Sequence, residues 1–471
     1  MYIQQKRGRE KGIVKEKMSN FKNIYLRKLP SIGKIIEQLS EIEDSYSHTI
    51  VVKAIRQVID DRKNSILKAQ NEDQIKDIDL SIEGIIAEAK VRIKEMSMVD
   101  IRYAINATGD VLNSDLGSLL NEHAQKALIN ISKGYSTPSY DLCQLLAEIT
   151  GAESGIVVNN NTAGILLTLN TICDGKEVII SRGEIEETDG SRLTDIIKKS
   201  GAKLISVGTT NKTHLYDYQR AINDKAGAII KVNRSNFRII GFVDQVPLIE
   251  LVSLKEKSNI PLIEIIGNGC LLDLTQLGFP EEPYVPLSIK TGSDIVCFSS
   301  DRLMGGPQSG IIVGKSSYVS IMKENPIYHA LKPSKLTISS LSATLKSYLD
   351  DDLLKHNITV QFLCRPIDEI KSLNKILMEK IRDKMSNSII LSLSDGYSKI
   401  ESFSIPPERF PTEFIIIRSD KLTSKEMSEK LQMRDIPIIV NTDEESVSLD
   451  MRSVFSDEID EIAKALIECF G

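Results

Sequence analysis

The chain has 471 residues, 41% hydrophobic and 26% charged, with a formal net charge of -6. That length calls for two or three domains rather than one core. The acidic balance excludes a globally basic nucleic-acid binder, while a local basic patch stays open. No apolar run reaches the ~18 residues that span a bilayer.

The stretch 1–21 carries Lys6, Arg7, Arg9, Lys11, Lys15 and Lys17 against Glu10 and Glu16, without an apolar h-region. It reads as a basic tail and not as a secretory signal. Residues 22–98 read as a helical domain ending in a long helix. Leu29-Pro30-Ser31-Ile32 opens the first helix, with Ile35, Ile36 and Leu39 at helical spacing. Further helices are expected over roughly 47–70 and 81–97.

From Ile105 the pattern alternates between short apolar runs and amphipathic stretches. The runs are Gly155–Val158, Val178–Ile180, Leu204–Val207, Ala228–Val232, Leu262–Ile266, Ile295–Phe298 and Gly310–Val313. Near-continuous apolar strands alternating with helices predict an α/β domain over 99–335, a mostly parallel sheet covered on both faces. Residues 336–471 read as a connector helix, 336–348, and a small α+β domain. Its strands are expected at Glu413–Arg418, Pro437–Asn441 and Ser446–Met451, and a helix at Ser456–Cys469 closes it.

The six cysteines form no Cys-x-x-Cys pair and the five histidines show no ligand spacing. Reduced thiols in a cytoplasmic protein without a metal are therefore expected.

Three strand ends carry polar loops. Asn159, Asn160 and Asn161 follow the 155–158 run and open a helix. This suits a phosphate and equally suits an ordinary helix cap. Gly208-Thr209-Thr210-Asn211-Lys-Thr-His214 is a second such loop, readable as a turn held by side-chain hydrogen bonds. The third is Ser299-Ser-Asp301-Arg302-Leu-Met-Gly305-Gly306-Pro-Gln, a strand running into a Gly-rich turn. Pyridoxal phosphate (PLP) enzymes commonly present a Schiff-base lysine at such a strand end. Here the residue is Arg302, whose guanidinium stays protonated and cannot attack an aldehyde. Taken alone, Arg302 is simply a cation at a turn.

Taken together these segments resemble the bacterial L-seryl-tRNA(Sec) selenium transferase (selenocysteine synthase) family. The resemblance rests on Leu29-Pro-Ser-Ile, Ile105-Asn-Ala-Thr-Gly-Asp-Val-Leu-Asn, Ile149-Thr-Gly-Ala-Glu, Val157-Val-Asn-Asn-Asn, Ser181-Arg-Gly-Glu, Val207-Gly-Thr-Thr-Asn-Lys-Thr-His, Phe298-Ser-Ser-Asp-Arg-Leu-Met-Gly-Gly-Pro-Gln-Ser-Gly and Leu449-Asp-Met-Arg. It covers the chain from about residue 24. It implies the aminotransferase-type (fold type I) PLP fold, a helical N-terminal domain that contacts tRNA, and dimers that build a larger ring. Implied too are PLP as the family cofactor and a Schiff-base lysine where this chain has Arg302, beside Asp301.

Against that pattern the chain departs in a cluster. Ile265 stands where the family's aspartate meets the pyridine nitrogen. Ser118, His329 and Lys332 stand at arginine positions. A Gly/Arg-rich loop is missing after Leu142, and the segment from Asp189 is one residue short. The expectation is a relative that has lost PLP catalysis and uses no cofactor. It acts by binding tRNA or an active paralogue, as a homodimer or larger homo-oligomer. The alternative is an active PLP-dependent transferase. Asn159, Asn160, Asn161, Gly305 and Gly306 are the candidate cofactor contacts, and Thr209, Thr210, Asn211, Ile265, His329, Lys332 and Ser118 the candidate pocket. Asp301 is expected to pair with Arg302.

Overall fold

The computed structural model describes residues 21–39, 46–97, 101–135, 142–188, 190–235, 237–279, 282–350, 353–400 and 407–471. The basic tail and the segment 136–141 ahead of Leu142 lie outside them. The chain divides into two compact units, Met1–Arg102 and Tyr103–Gly471.

The first unit is helical. α1 (Ile32–Glu37) is capped by Ser31, whose side chain accepts from Lys34 N–H. It packs with α2 (His48–Lys68) and α3 (Ile82–Ser97). Ile35 and Leu39, Val51, Ile55 and Val58, and Ile85, Ala89 and Ile93 recur at three- and four-residue intervals and form its core.

The second unit holds both large sheets. β1 (Ile105–Ala107) opens it, and β2 (Ser154–Val158) leads into α4 (Asn161–Cys173). Then come β3 (Glu177–Ser181), the hairpin β4 (Glu187–Thr188) and β5 (Ser191–Arg192), β6 (Lys203–Val207), β7 (Ala226–Asn233), β8 (Leu262–Ile266), β9 (Ile295–Ser299) and β10 (Gly310–Gly314). The central sheet runs β2-β10-β9-β8-β7-β3-β6. Only β10 is antiparallel to its neighbours. All seven strands coincide with the apolar runs in the sequence. Alternate residues feed two cores: Ile156, Ile180, Ile230, Ile265 and Cys297 face α4, while Val157, Ile266, Val296 and Phe298 face the other side. The fold is the aminotransferase-type α/β fold.

Past the short helix α5 (Pro326–Leu331) and α6 (Ile367–Ile381), the small sheet comprises β11 (Ile389–Tyr397), β12 (Pro411–Ser419), β13 (Ile438–Thr442) and β14 (Ser446–Asp450). It is backed by α7 (Ser424–Gln432) and α8 (Ile459–Phe470). Its order is β1-β13-β14-β12-β11. β1 thus pairs, in parallel, with a strand more than 300 residues later. No described helix is long and apolar enough to cross a membrane.

An ion group centred on buried Asp294 ties β8 and β9 together. Asp294 receives Lys255 Nζ at 2.7 Å, Lys315 Nζ at 2.6 Å and Leu262 N–H at 2.8 Å. Burial alone would raise its pKa, but these three contacts outweigh burial and hold it below the usual aspartate range. A depressed carboxyl stabilises the fold above its unfolded value of ~3.9 and loses that contribution as pH falls toward the folded value. Asp294→Asn should therefore cost about 1–3 kcal/mol at neutral pH. The difference from wild type should shrink in acid. Urea denaturation at pH 7 and pH 3 checks this.

Candidate active site

The site forms where β9 ends. Ser300 N–H donates to Ser309 O (3.0 Å) and Gly306 N–H to Ser300 O (2.7 Å), folding the 300–309 segment back on itself. Gly305 takes φ +68°, a left-handed conformation that suits glycine, and its N–H donates to Arg302 O. Asn357 Nδ2 donates to Leu303 O (2.8 Å) from outside. Ser300 Oγ and Ser309 Oγ lie 2.7 Å apart, buried under the turn. Arg302 is therefore carried on a turn braced from several sides, and its side chain is half-buried. Asp301 takes a hydrogen bond from Ser299 Oγ. The expected Asp301–Arg302 ion pair is not found among the described residues: the carboxylate turns back to its own strand end.

Two loops flank β9. On one side Asn160 caps α4, its Oδ1 accepting from Ala163 N–H at 2.8 Å. A Cβ on Gly310 would meet Asn160 O at 2.1 Å, so the loop lies directly on β10. Asn159 N–H donates to Leu331 O. Asn161 is 6% exposed, and its Oδ1 is buried with no hydrogen-bond partner in the described structure. Thr168, two turns further along α4, lies 3.5 Å from Cys297 Sγ. That contact sets Asn161 beside the end of β9, because α4 runs antiparallel to the strand.

On the other side Asn268 O accepts from Leu303 N–H, and a Cβ on Gly269 would meet Ser299 O at 1.9 Å. Asn268 is 2% exposed and its Oδ1 also lacks a partner. Burial pushes the neighbouring Glu282 carboxyl up to about 8, against the pull of a hydrogen bond with Asn268. Sequence reasoning passed over Asn268 and Glu282. The only signal was Asn268 between two glycines, which reads as a turn.

The remaining candidates separate. Ile265 is 2% exposed and sits in the apolar core facing α4. Glu264 points to the opposite face, bonded to Ser293 and Asn233. His329 Nδ1 and Lys332 Nζ lie 3.3 Å apart, and Lys332 lines a cavity of about 250 Å3 beside Cys143 and Ile156. The bond from Asn159 to Leu331 brings this pair beside the asparagine loop. Thr209, Thr210 and Asn211 are exposed at the end of edge strand β6, where Asn211 Nδ2 donates to Phe242 O (2.6 Å). They lie at the same sheet end as Arg302 but four strands away, roughly 19 Å at ~4.8 Å per strand. Ser118 is half-buried ahead of the helix Glu122–Ser132, with no described contact to Arg302.

This geometry divides when tested against PLP. The first turn of α4 offers the N–H groups of residues 161 and 162 to a phosphate, and Asn161 Oδ1 awaits an O–H or N–H donor. PLP carries both kinds of group. Arg302 offers its aldehyde no nucleophile, and Ile265 offers its ring nitrogen no carboxylate. The residues fit non-covalent binding.

Known proteins bear on the chain's family and fold. The family model described as L-seryl-tRNA selenium transferase matches residues 104–455. The L-seryl-tRNA(Sec) selenium transferase of Alkaliphilus metalliredigens is 38% identical over 458 residues, covering 94% of this chain and 98% of that protein. Its namesake from Clostridium botulinum (strain Okra) is 38% identical over 91% of this chain and 95% of its own length. Among solved structures, D-glucosaminate-6-phosphate ammonia-lyase superposes with TM-score 0.56 at 18% identity, over 78% of this chain and 96% of its own. These matches correct the expectation of no cofactor. The family's cofactor is PLP, and relatedness along almost the whole chain points to PLP rather than to none. That expectation rested on the chemistry of Arg302 alone, which speaks to covalent attachment and not to whether a cofactor binds. By the extent of both matches, the chain belongs to the L-seryl-tRNA selenium transferase family.

Proposed function

We propose that this chain binds seryl-tRNA and holds PLP without a covalent bond, its transferase chemistry lost at position 302. It acts by binding, alone or beside an active paralogue, as a cytoplasmic homodimer or larger homo-oligomer. The observation that carries this reading is the guanidinium of Arg302 on a braced turn at the end of β9. When bound, PLP supplies an electrophilic aldehyde and an electron-withdrawing ring. The N-terminus of α4 would hold the phosphate and Asn161 Oδ1 would receive a hydrogen-bond donor. Arg302 contributes a guanidinium charge and no nucleophile. The intact asparagine loop and the Gly305-Gly306 turn favour a second reading, an active transferase that works from non-covalent PLP.

One experiment separates the two. Purified protein is titrated with PLP, reduced with borohydride, and assayed on seryl-tRNA. Saturable PLP binding, no pyridoxyl group fixed to the chain and no turnover are expected. Turnover would sink the non-catalytic reading, and absence of PLP binding would sink the cofactor assignment. Binding of seryl-tRNA should weaken with salt, on the order of 10³-fold between about 50 and 200 mM if six phosphates are engaged. Filter binding checks this, and salt-independent binding would point to a protein partner instead.

A further inference from the structure

A second cavity, of about 470 Å3, opens between the segment after β1 and the face of the small sheet opposite α6, α7 and α8. Its volume lies within the range of small-molecule sites. Phe414 of β12 forms one wall. Gly396 of neighbouring β11 makes room for that ring: a Cβ there would meet Phe414 Cε2 at 2.7 Å. The ring is thereby laid across the sheet as a flat apolar surface.

Around it the polar groups are fixed. Asn441 Nδ2 donates to Thr108 O at 2.8 Å, which orients the amide and leaves Oδ1 as the acceptor. Asn113 Oδ1 accepts from Asp115 N–H at 3.0 Å, which leaves its Nδ2 as the donor. Asp110, 5% exposed, adds a carboxylate held by Leu112 N–H, and Asp443 adds a second whose oxygens accept from Glu445 N–H, Ser446 N–H and Ser446 Oγ. Tyr397 and Lys399, at the end of β11, stand at the exposed rim.

A planar face beside one oriented acceptor, one oriented donor and a lysine is complementary to a stacked heterocycle with a hydrogen-bonding edge and an attached phosphate. We propose that this cavity binds a purine nucleotide, its base stacked on Phe414, its edge read by Asn113 and Asn441, and its phosphate met by Lys399. Two sources share that chemistry, a free nucleotide and the 3′-terminal adenosine of the C-C-A end of tRNA. The second rests on the tRNA-binding reading above.

The test measures binding of AMP, of adenosine, and of 5′-fluorescein-labelled C-C-A and C-C to the full chain. AMP should bind more tightly than adenosine, and C-C-A more tightly than C-C. Phe414→Leu should weaken AMP about tenfold or more. Lys399→Ala, on an exposed side chain, should remove the preference for AMP over adenosine even if the Phe414 variant fails to fold. Binding of AMP without C-C-A would keep the site and assign it to a free nucleotide. Failure of both AMP and C-C-A to bind would overturn the proposal, as would a folded Phe414→Leu protein that binds like wild type. C-C-A binding no tighter than C-C would overturn it for the RNA end. Intact seryl-tRNA bound without AMP or C-C-A would sink this site alone. AMP bound without seryl-tRNA would sink the tRNA reading alone.

Discussion

Arg302→Lys should convert a protein that borohydride leaves unlabelled into one that retains a pyridoxyl group, seen as a mass increase on the peptide containing residue 302. An amine at the end of β9 can lose its proton in a desolvated site and bond to an aldehyde carbon, which a guanidinium cannot do. The turn that would present it is already built by Ser300, Gly305 and Gly306. Adding Ile265→Asp should tighten PLP binding further by giving the ring nitrogen a carboxylate. It should also destabilise the cofactor-free protein by on the order of 3–5 kcal/mol, because position 265 lies in an apolar core. Added PLP should restore part of that loss through mass action on the folded state. Turnover by the double variant should stay far behind binding, since Ser118, His329 and Lys332 would still stand where the family resemblance implies arginines. Removing a covalent catalytic group can cost on the order of 10⁶ in rate, so even partial rescue would be visible. A double variant with PLP bound and no borohydride-stable label would show that the turn does not present residue 302 to the aldehyde.

Arg452→Ala should be the most destabilising single change outside the site, by about 3–5 kcal/mol in urea denaturation. Its side chain is 1% exposed. Nε donates to Ser398 Oγ (2.8 Å), Nη1 to Leu363 O (3.0 Å) and Nη2 to Pro411 O (2.7 Å). Asp450 accepts from Arg452 N–H (2.9 Å) and Thr412 Oγ1 (2.7 Å). Arg365 adds bonds to Met451 O and Val454 O. Truncation would leave Ser398 Oγ, Leu363 O and Pro411 O without the guanidinium and remove a positive charge that acts on buried Asp450, whereas a surface arginine costs little. A loss below about 1 kcal/mol would mean that water enters and replaces the guanidinium.

The central sheet was legible because its strands are buried on both faces, which writes them as unbroken β-branched runs. Edge strand β11 was missed because Ser392, Ser394, Asp395 and Gly396 interrupt its apolar pattern where one side meets solvent. β1 is too short to announce itself, and its partner is far away in sequence. At the site, Arg302 was readable because an amine and a guanidinium differ in chemistry wherever they stand. Grouping Thr209, Thr210 and Asn211 with it required the order of strands, and local sequence does not encode order. Asn268 is informative only through a buried side-chain oxygen that has no partner among the described residues, a property of the folded chain.

The pairing of Ile105–Ala107 with Ile438–Val440 sets a sequence of events during synthesis. A ribosome that has delivered β1 and the whole central sheet still holds β1 without its neighbour until residue ~440 emerges. Closing so long a loop is entropically slow. The small sheet is therefore the last element to lock. A nascent chain stalled before β13 should present an unpaired edge to chaperones, with Asn106 and Thr108 still solvent-accessible.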